Sequence, residues 1–182
     1  VGSIKEVHYE KFAIDTEGTN TYRHRVAGSQ LVTARGKYET DVLFQEQLDI
    51  YKIVGFYDTD FLIIEGNRDV NVPMILTAEN IEHLDERYND RVFLVSGKIA
   101  DHIDAYKDMP AISALEDVEK LADIVEEKTF KMLPDYDPKC CSACGHTCRE
   151  MCSLILQDKL KRSDCVIGTG DISLKINGKD IM

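Results

Sequence analysis

Six cysteines lie between Cys140 and Cys165, and the 139 residues before them hold none. They run Cys140-Cys141-Ser-Ala-Cys144-Gly-His-Thr-Cys148-Arg-Glu-Met-Cys152, then twelve residues, then Cys165. Thiols that merely fill a core scatter through the apolar elements, so this clustering points to a thiolate metal site. Cys141-x-x-Cys144 is a chelating turn, and Gly145 behind it permits a backbone path that most residues cannot follow. Thr147-x-x-Glu150 has the form of a capping box. It predicts a helix with Cys148 in its first turn and Cys152 one turn later, where the positive end of the dipole favours a thiolate. Between Lys139 and Cys165 five Lys or Arg face three Asp or Glu, in a chain whose net charge is −11. That local excess suits an anionic metal–sulfur group.

The spacing resembles the small four-cysteine iron–sulfur domain of corrinoid and related anaerobic redox proteins, written Cys-x2-Cys-Gly…Cys-x16-Cys. Cys141, Cys144, Cys148 and Cys165 match it, and Cys148-x16-Cys165 is in register. Gly145 and Cys148 stand one residue closer together than in that pattern. Cys140 and Cys152 are additional thiols, and His146 could take the place of one thiolate. The resemblance implies a 4Fe–4S cluster. Four thiolates equally suit tetrahedral zinc, and disulfides or free thiols are the third reading.

Two acids carry a second possible chemistry. Asp15 follows the first predicted strand, and Glu65 ends an apolar strand directly before Gly66. An acid at the carboxyl end of a buried strand, beside glycine, is how nucleoside triphosphatases hold Mg²⁺ and a terminal phosphate. An ordinary solvated acid at a strand end is the alternative. Gly97-Lys98-x-x-Asp101 is one residue out of step with a guanine-reading Lys and Asp. No nucleophile with a base beside it stands out, so nucleotidyl transfer by this chain alone is not expected beyond, at most, weak nucleoside triphosphate hydrolysis.

The elements around these residues alternate between strand and helix. Val1 to Val7 predicts a strand, and Thr19 to Ala27 a short helix closed by Gly28. Gln30 to Ala34 and Glu39 to Phe44 predict two strands about Gly36, followed by a helix over Gln45 to Val54. Asp60 to Glu65 and Arg91 to Ser96 are continuous apolar runs, the pattern of strands buried on both faces of a parallel sheet. A helix around Ile81, Leu84 and Tyr88 lies between them. Ser113-x-x-Glu116 predicts the cap of a helix whose apolar stripe is Val118, Leu121, Ala122 and Val125. Pro134 and Pro138 stiffen the connection to the cysteines, and Ile172, Leu174 and Ile176 alternate up to the hairpin signal Asn177-Gly178.

The expected architecture is α/β, a doubly wound, mainly parallel sheet with a small cysteine-rich appendage and a C-terminal β-hairpin. Its expected parts are an α/β domain over 1–133, a cluster domain over 134–168 and the start of a hairpin region over 169–182. With 43% hydrophobic and 30% charged residues the chain has enough apolar material for a core. Acids outnumber bases 33 to 22, which argues against nucleic acid or an anionic membrane as partner. There is no apolar run of membrane-spanning length and no signal-peptide pattern, so a reducing cytoplasm is the expected compartment. Val1 without methionine, already inside a strand, and Met182 inside a hairpin lead us to expect further chain at both ends.

Three stretches taken together resemble the MobB family. They are Ile4-Lys5…His8; Phe12-x-Ile-Asp15-x-x-Gly18-Thr-Asn-Thr-Tyr-Arg23-His-Arg…Ala27-Gly28; and Phe61-Leu-Ile-Ile-Glu65-Gly66 with Pro73-Met-Ile. That family is the GTP-binding adaptor of molybdopterin guanine dinucleotide biosynthesis, and the cysteine segment and hairpin resemble an extension of some archaeal members. The resemblance implies a P-loop GTPase fold, bound GTP and Mg²⁺, a homodimer, and a MobA-like guanylyltransferase or a molybdenum or tungsten apo-enzyme as partner. It also implies that Lys5, His8, Asp15, Gly18, Glu65 and Gly66 contribute to the nucleotide site, Asp15 near Mg²⁺ and Glu65-Gly66 near the terminal phosphate. The family's Gly-rich phosphate loop is expected ahead of Val1. Asn67-Arg68 stands where Phe-Lys is usual, and Met74 where Lys is usual. The alternative function is an iron–sulfur redox or scaffold subunit on a degenerate nucleotide-binding fold.

Overall fold

A computed structural model of the chain describes residues 1–134, 141, 143–165, 167, 174–176 and 179–181. The fold divides into two compact units, Val1–Val70 and Asn71–Met182.

In the first unit, β1 (Gly2–Lys5) pairs in parallel with β4 (Leu62–Glu65), from Gly2 opposite Leu62 to Lys5 opposite Glu65. The sequence predicts burial of both faces of β4, but the pattern alternates, and Ile63 is 60% exposed. Ile4, Leu62 and Ile64 form the inner face, while Ser3, Ile63, Lys5 and Glu65 look outward. Gly2 is required by packing, since a Cβ there would lie 2.5 Å from the Tyr57 ring, whose hydroxyl donates to the Ser3 carbonyl at 2.8 Å.

Helix α1 (Asn20–Val26) begins where Thr19 Oγ1 accepts from the Tyr22 N–H at 3.1 Å. It ends at Gly28, whose φ of 99° turns the chain out of the helix. Strands β2 (Leu31–Arg35) and β3 (Thr40–Phe44) form the antiparallel pair expected about Gly36. Helix α2 is shorter than predicted, Ile50–Val54 rather than Gln45 to Val54. Asp49 accepts from the Tyr51 N–H at 2.9 Å and so places the N-cap five residues later.

In the second unit, β5 (Met74–Thr77), α3 (Ile81–Arg87) and β6 (Val92–Ser96) form a βαβ unit with the two strands parallel. The sequence analysis has no strand at β5, which carries only four residues. Every residue of β6 is buried, as its apolar run predicts. One cluster gathers Val92 and Val95 with Leu76, Leu84, Ile99 and Tyr106. The other gathers Phe93, Leu94 and Ile112 with side chains of α4 (Val118–Lys128) and α5 (Cys148–Leu156). Each fully buried Leu or Val here stabilises by about 1.5–3 kcal/mol over its exposed state.

Ser113 and Glu116 do not cap α4. The Ser113 carbonyl instead accepts from Glu116 and Asp117 in a turn ahead of the helix. The half-buried, core-facing stripe of α4 is Leu121, Ile124 and Val125, with Val118 60% exposed and Ala122 exposed, so its core-facing side is rotated from the predicted one. A short hairpin, β7 (Ala105–Tyr106) and β8 (Met109–Pro110), lies between β6 and α4.

At the C-terminus β9 (Leu174–Ile176) pairs antiparallel with β10 (Lys179–Ile181), and Ile176 opposite Lys179 leaves two residues for the turn. Asn177-Gly178, Ile172, Pro138 and Cys140 lie outside the described residues. No helix among the described residues is long and apolar enough to cross a membrane.

Candidate functional site

The carboxyl ends of β1 and β4 collect polar groups from residues about sixty positions apart. Lys5 and Glu65 are direct partners in the parallel register and form an ion pair on the outer face. With side chains 58% and 68% exposed, such a pair adds little stability. Its value lies in holding an ammonium and a carboxylate side by side at a strand terminus. The Glu6 N–H donates to the Glu65 carbonyl at 2.8 Å, extending the ladder by one residue.

His8 Nε2 lies 3.1 Å from the Gly66 carbonyl, which requires the proton on Nε2. Gly66 has φ 86°, and a Cβ there would lie 3.1 Å from the Glu6 carbonyl oxygen. The structure thus brings Lys5, His8, Glu65 and Gly66 together. It adds Glu6, which the sequence did not single out, and Asn67, which stood out there only as a departure after Glu-Gly. Asn67 donates to Glu6 at 3.1 Å and accepts from the Asp69 and Val70 N–H groups, which locks the turn after Gly66.

Asp15 sits at the entrance to α1. Its Oδ1 accepts from Thr19 Oγ1 and Thr21 Oγ1, both at 2.8 Å. Desolvation pushes its pKa upward, but the two hydroxyls, the nearby Arg25 charge and the Thr16 backbone together hold it below the usual carboxylate value. Its Oδ2 is shut off from solvent and has no hydrogen-bond partner among the described residues. An ionised, desolvated oxygen with no donor suits a hard cation. Gly18, at φ 97°, lets the chain turn into Thr19.

A separate cleft of about 420 Å³ opens at the carboxyl ends of β5 and β6. It is lined by Thr77, Ala78, Glu79, His83, Arg87, Gly97 and Lys98. Lys98 pairs with Glu79 at 2.6 Å, and that bond lowers the Glu79 pKa and raises that of Lys98. Gly97 has φ 84°, with Ala78 O only 2.9 Å from where a Cβ would stand. Lys98 therefore reaches the cleft, whereas Asp101 is not among its lining residues.

In the cysteine segment, the predicted capping box is present in full. Glu150 N–H donates to Thr147 Oγ1 at 3.1 Å, and Thr147 N–H to Glu150 Oε2 at 2.9 Å. Helix α5 then sets Cys148 in its first turn and buries Cys152 completely. Cys144, Cys148, Cys152 and Cys165 border one apolar cluster with Leu133 and Met151. Cys141 is half-buried.

None of the five described cysteines is in a disulfide. Cys144 Sγ donates to the His146 carbonyl at 3.5 Å and Cys165 Sγ to the Ile167 carbonyl at 3.3 Å. Burial pushes the Cys152 thiol up to about 12, despite the opposing pull of Arg91. Among the described residues no three His, Cys, Asp or Glu side chains are grouped to hold a metal ion. A thiol pointing at a carbonyl must lose its proton and turn away before it can ligate.

Residues 1–96 match the family described as Molybdopterin guanine dinucleotide synthesis protein B. The chain belongs to the MobB family. Two solved structures of Bacillus subtilis MobB resemble it. One has a TM-score of 0.57 at 20% identity, covering 71% of this chain and 79% of that one. The other has a TM-score of 0.53 at 18% identity, covering 71% and 77%. Their likeness shows the fold, a MobB-like α/β architecture. No curated protein matches the chain. Membership of the MobB family assigns this chain a role in molybdenum cofactor biosynthesis.

Proposed function

We propose that this MobB-family chain is a GTP-binding adaptor of molybdenum or tungsten cofactor maturation that also carries a 4Fe–4S cluster. Asp15 carries the nucleotide half of this reading. One of its oxygens is doubly satisfied, while the other is desolvated and without a donor. Mg²⁺ fits that oxygen by charge and hardness, and when bound it neutralises the phosphates of a nucleotide. Glu65, Gly66, Lys5 and His8 stand at strand ends, where a terminal phosphate is met, and Gly18 shapes the approach to Asp15. Any hydrolysis is slow, since among the described residues no base is paired with a nucleophile.

Residues 134–168 form the cluster-binding part, with Cys141, Cys144, Cys148 and Cys165 as ligands and zinc as the competing occupant. Residues 1–133 form the nucleotide-binding part, and 169–182 open the hairpin region. The protein works as a homodimer in the reducing cytoplasm. It meets a MobA-like guanylyltransferase or a molybdenum or tungsten apo-enzyme.

Calorimetry on the full-length protein tests the nucleotide reading. GTP with Mg²⁺ is expected to bind in preference to ATP, and Asp15→Ala or Glu65→Ala to weaken that binding or its Mg²⁺ dependence. Full-length protein that binds no GTP favours the alternative of an iron–sulfur scaffold on a degenerate fold. Anaerobic purification tests the cluster, since brown protein with iron and labile sulfide is expected. Colourless protein with stoichiometric zinc overturns the iron assignment.

A further inference from the structure

The cleft at the carboxyl ends of β5 and β6 lies wholly within the second unit and holds none of the residues assigned above to nucleotide or cluster. Open α/β sheets take their ligands at the carboxyl ends of adjacent parallel strands, and about 420 Å³ accommodates a small organic molecule. Its basic side chains come from two elements. His83 and Arg87 stand four positions apart on α3 and so share one face of the helix. Lys98 follows β6 directly after Gly97. Against these three, Glu79 is the one acid in the lining; Glu82, Asp85 and Glu86 of α3 do not reach it. The cleft is thus a basic spot on a chain of net charge −11. Lys98 is committed to Glu79 at 2.6 Å. His83 and Arg87 are both half-buried, and among the described residues neither side chain has a hydrogen-bond or ion-pair partner. Gly97, with no room for a Cβ, leaves bare main chain in the wall between them and Lys98.

We propose that this cleft binds the phosphate group of a small organic phosphate. The Arg87 guanidinium offers paired N–H donors that match phosphate oxygens, and His83 donates a ring N–H whichever its charge state. The Thr77 hydroxyl adds a neutral donor at the end of β5. Lys98 decides the charge class. It already holds a carboxylate, so a monocarboxylate ligand only exchanges like for like, whereas a phosphate dianion brings a second charge and draws Lys98 from Glu79. Both partners of that pair are well exposed, with side chains 76% and 61% open, so the exchange costs little. Glu79 is therefore an internal competitor for the ligand's place. Neither Asp15 nor any cysteine enters this inference, so it stands or falls apart from the nucleotide and cluster readings.

The test is an amide-resolved NMR titration of the full chain, at constant ionic strength, with inorganic phosphate, glycerol phosphate and GMP, and with acetate as the monoanion control. The phosphates are expected to shift the amides around Thr77, His83 and Gly97, and acetate to leave them in place. Arg87→Gln is expected to weaken phosphate binding about 10–100-fold, the usual effect of losing a charge-assisted hydrogen bond. Lys120→Gln, which removes an exposed charge on α4, is expected to change nothing. Glu79→Gln is expected to tighten binding, because Lys98 is then released from its competitor. Tighter binding of GMP than of glycerol phosphate at these amides assigns a nucleotide source, and equal binding a phosphomonoester of any kind. No shift at these amides with any of the three phosphates overturns the inference. So does equal weakening by Arg87→Gln and Lys120→Gln, which marks general charge attraction. Weaker binding by Glu79→Gln overturns it as well, since the carboxylate is then part of the site and not its competitor.

Discussion

Cys148 and Cys152 lie one turn apart on α5, yet Cys152 is completely buried while Cys148 is only partly so. The two thiols therefore have different chemistry. Cys152 packs as a small apolar side chain against Leu133 and Met151, and its proton is hard to remove. In folded, metal-free protein, thiol-specific reagents at mildly alkaline pH are expected to modify Cys148 well ahead of Cys152, as mass spectrometry of the labelled peptides will show. Equal labelling contradicts the burial.

The same thiol gives a pH dependence. Its folded pKa is raised, from 9.0 to about 12, so the folded state holds a proton that the unfolded state gives up first. The contribution is intact below the unfolded value and is lost as pH climbs through the interval between the two. The slope is roughly 1.4 kcal/mol per pH unit at most. Denaturant midpoints of Cys152→Ala are expected to lose this alkaline slope relative to wild type.

Thr147 starts α5, and Thr147→Ala removes the acceptor for the Glu150 N–H. A loss of about 1 kcal/mol in the stability of the second unit is expected, measured by urea unfolding. The Glu150 carboxyl is held below its usual value first by the Thr147 N–H and then by the Thr147 hydroxyl. Its contribution is present at neutral pH and fades as the solution is acidified through the folded pKa.

Gly66→Ala tests the strand-end cluster. At φ 86° an L side chain is strained, and the new Cβ meets Glu6 O at 3.1 Å and His8 Nε2 at 3.6 Å. Destabilisation of about 1–3 kcal/mol is expected by urea unfolding, with loss of GTP binding by calorimetry.

Leu94→Ala and Val118→Ala form a matched pair for the core. Leu94 has no exposed surface on β6, whereas Val118 is 60% exposed on α4. Losses of about 2–5 kcal/mol for the first and under about 0.5 kcal/mol for the second are expected in denaturant midpoints. A large loss at Val118 restores the stripe that periodicity predicted.

Local chemistry was legible in the sequence wherever a side chain acts on its own neighbours. The Thr147–Glu150 box, the two-residue spacing of the final hairpin and the turn at Gly28 depend on atoms a few residues apart. Residue type nearly determines such contacts. The family was legible too, because Lys5, His8, Asp15, Glu65 and Gly66 recur as a pattern of types and spacings. Tertiary structure decided what depends on neighbours from afar. The apolar runs of β4 and β6 look alike, yet β6 is covered on both sides while β4 leaves Ile63 exposed, and no property of either run says which elements pack on it. The face of α4 was displaced for the same reason, since Phe93 and Ile112, not periodicity, choose which side turns inward. Asp15 shows this most directly. A carboxylate oxygen becomes orphaned only when the folded chain closes around it.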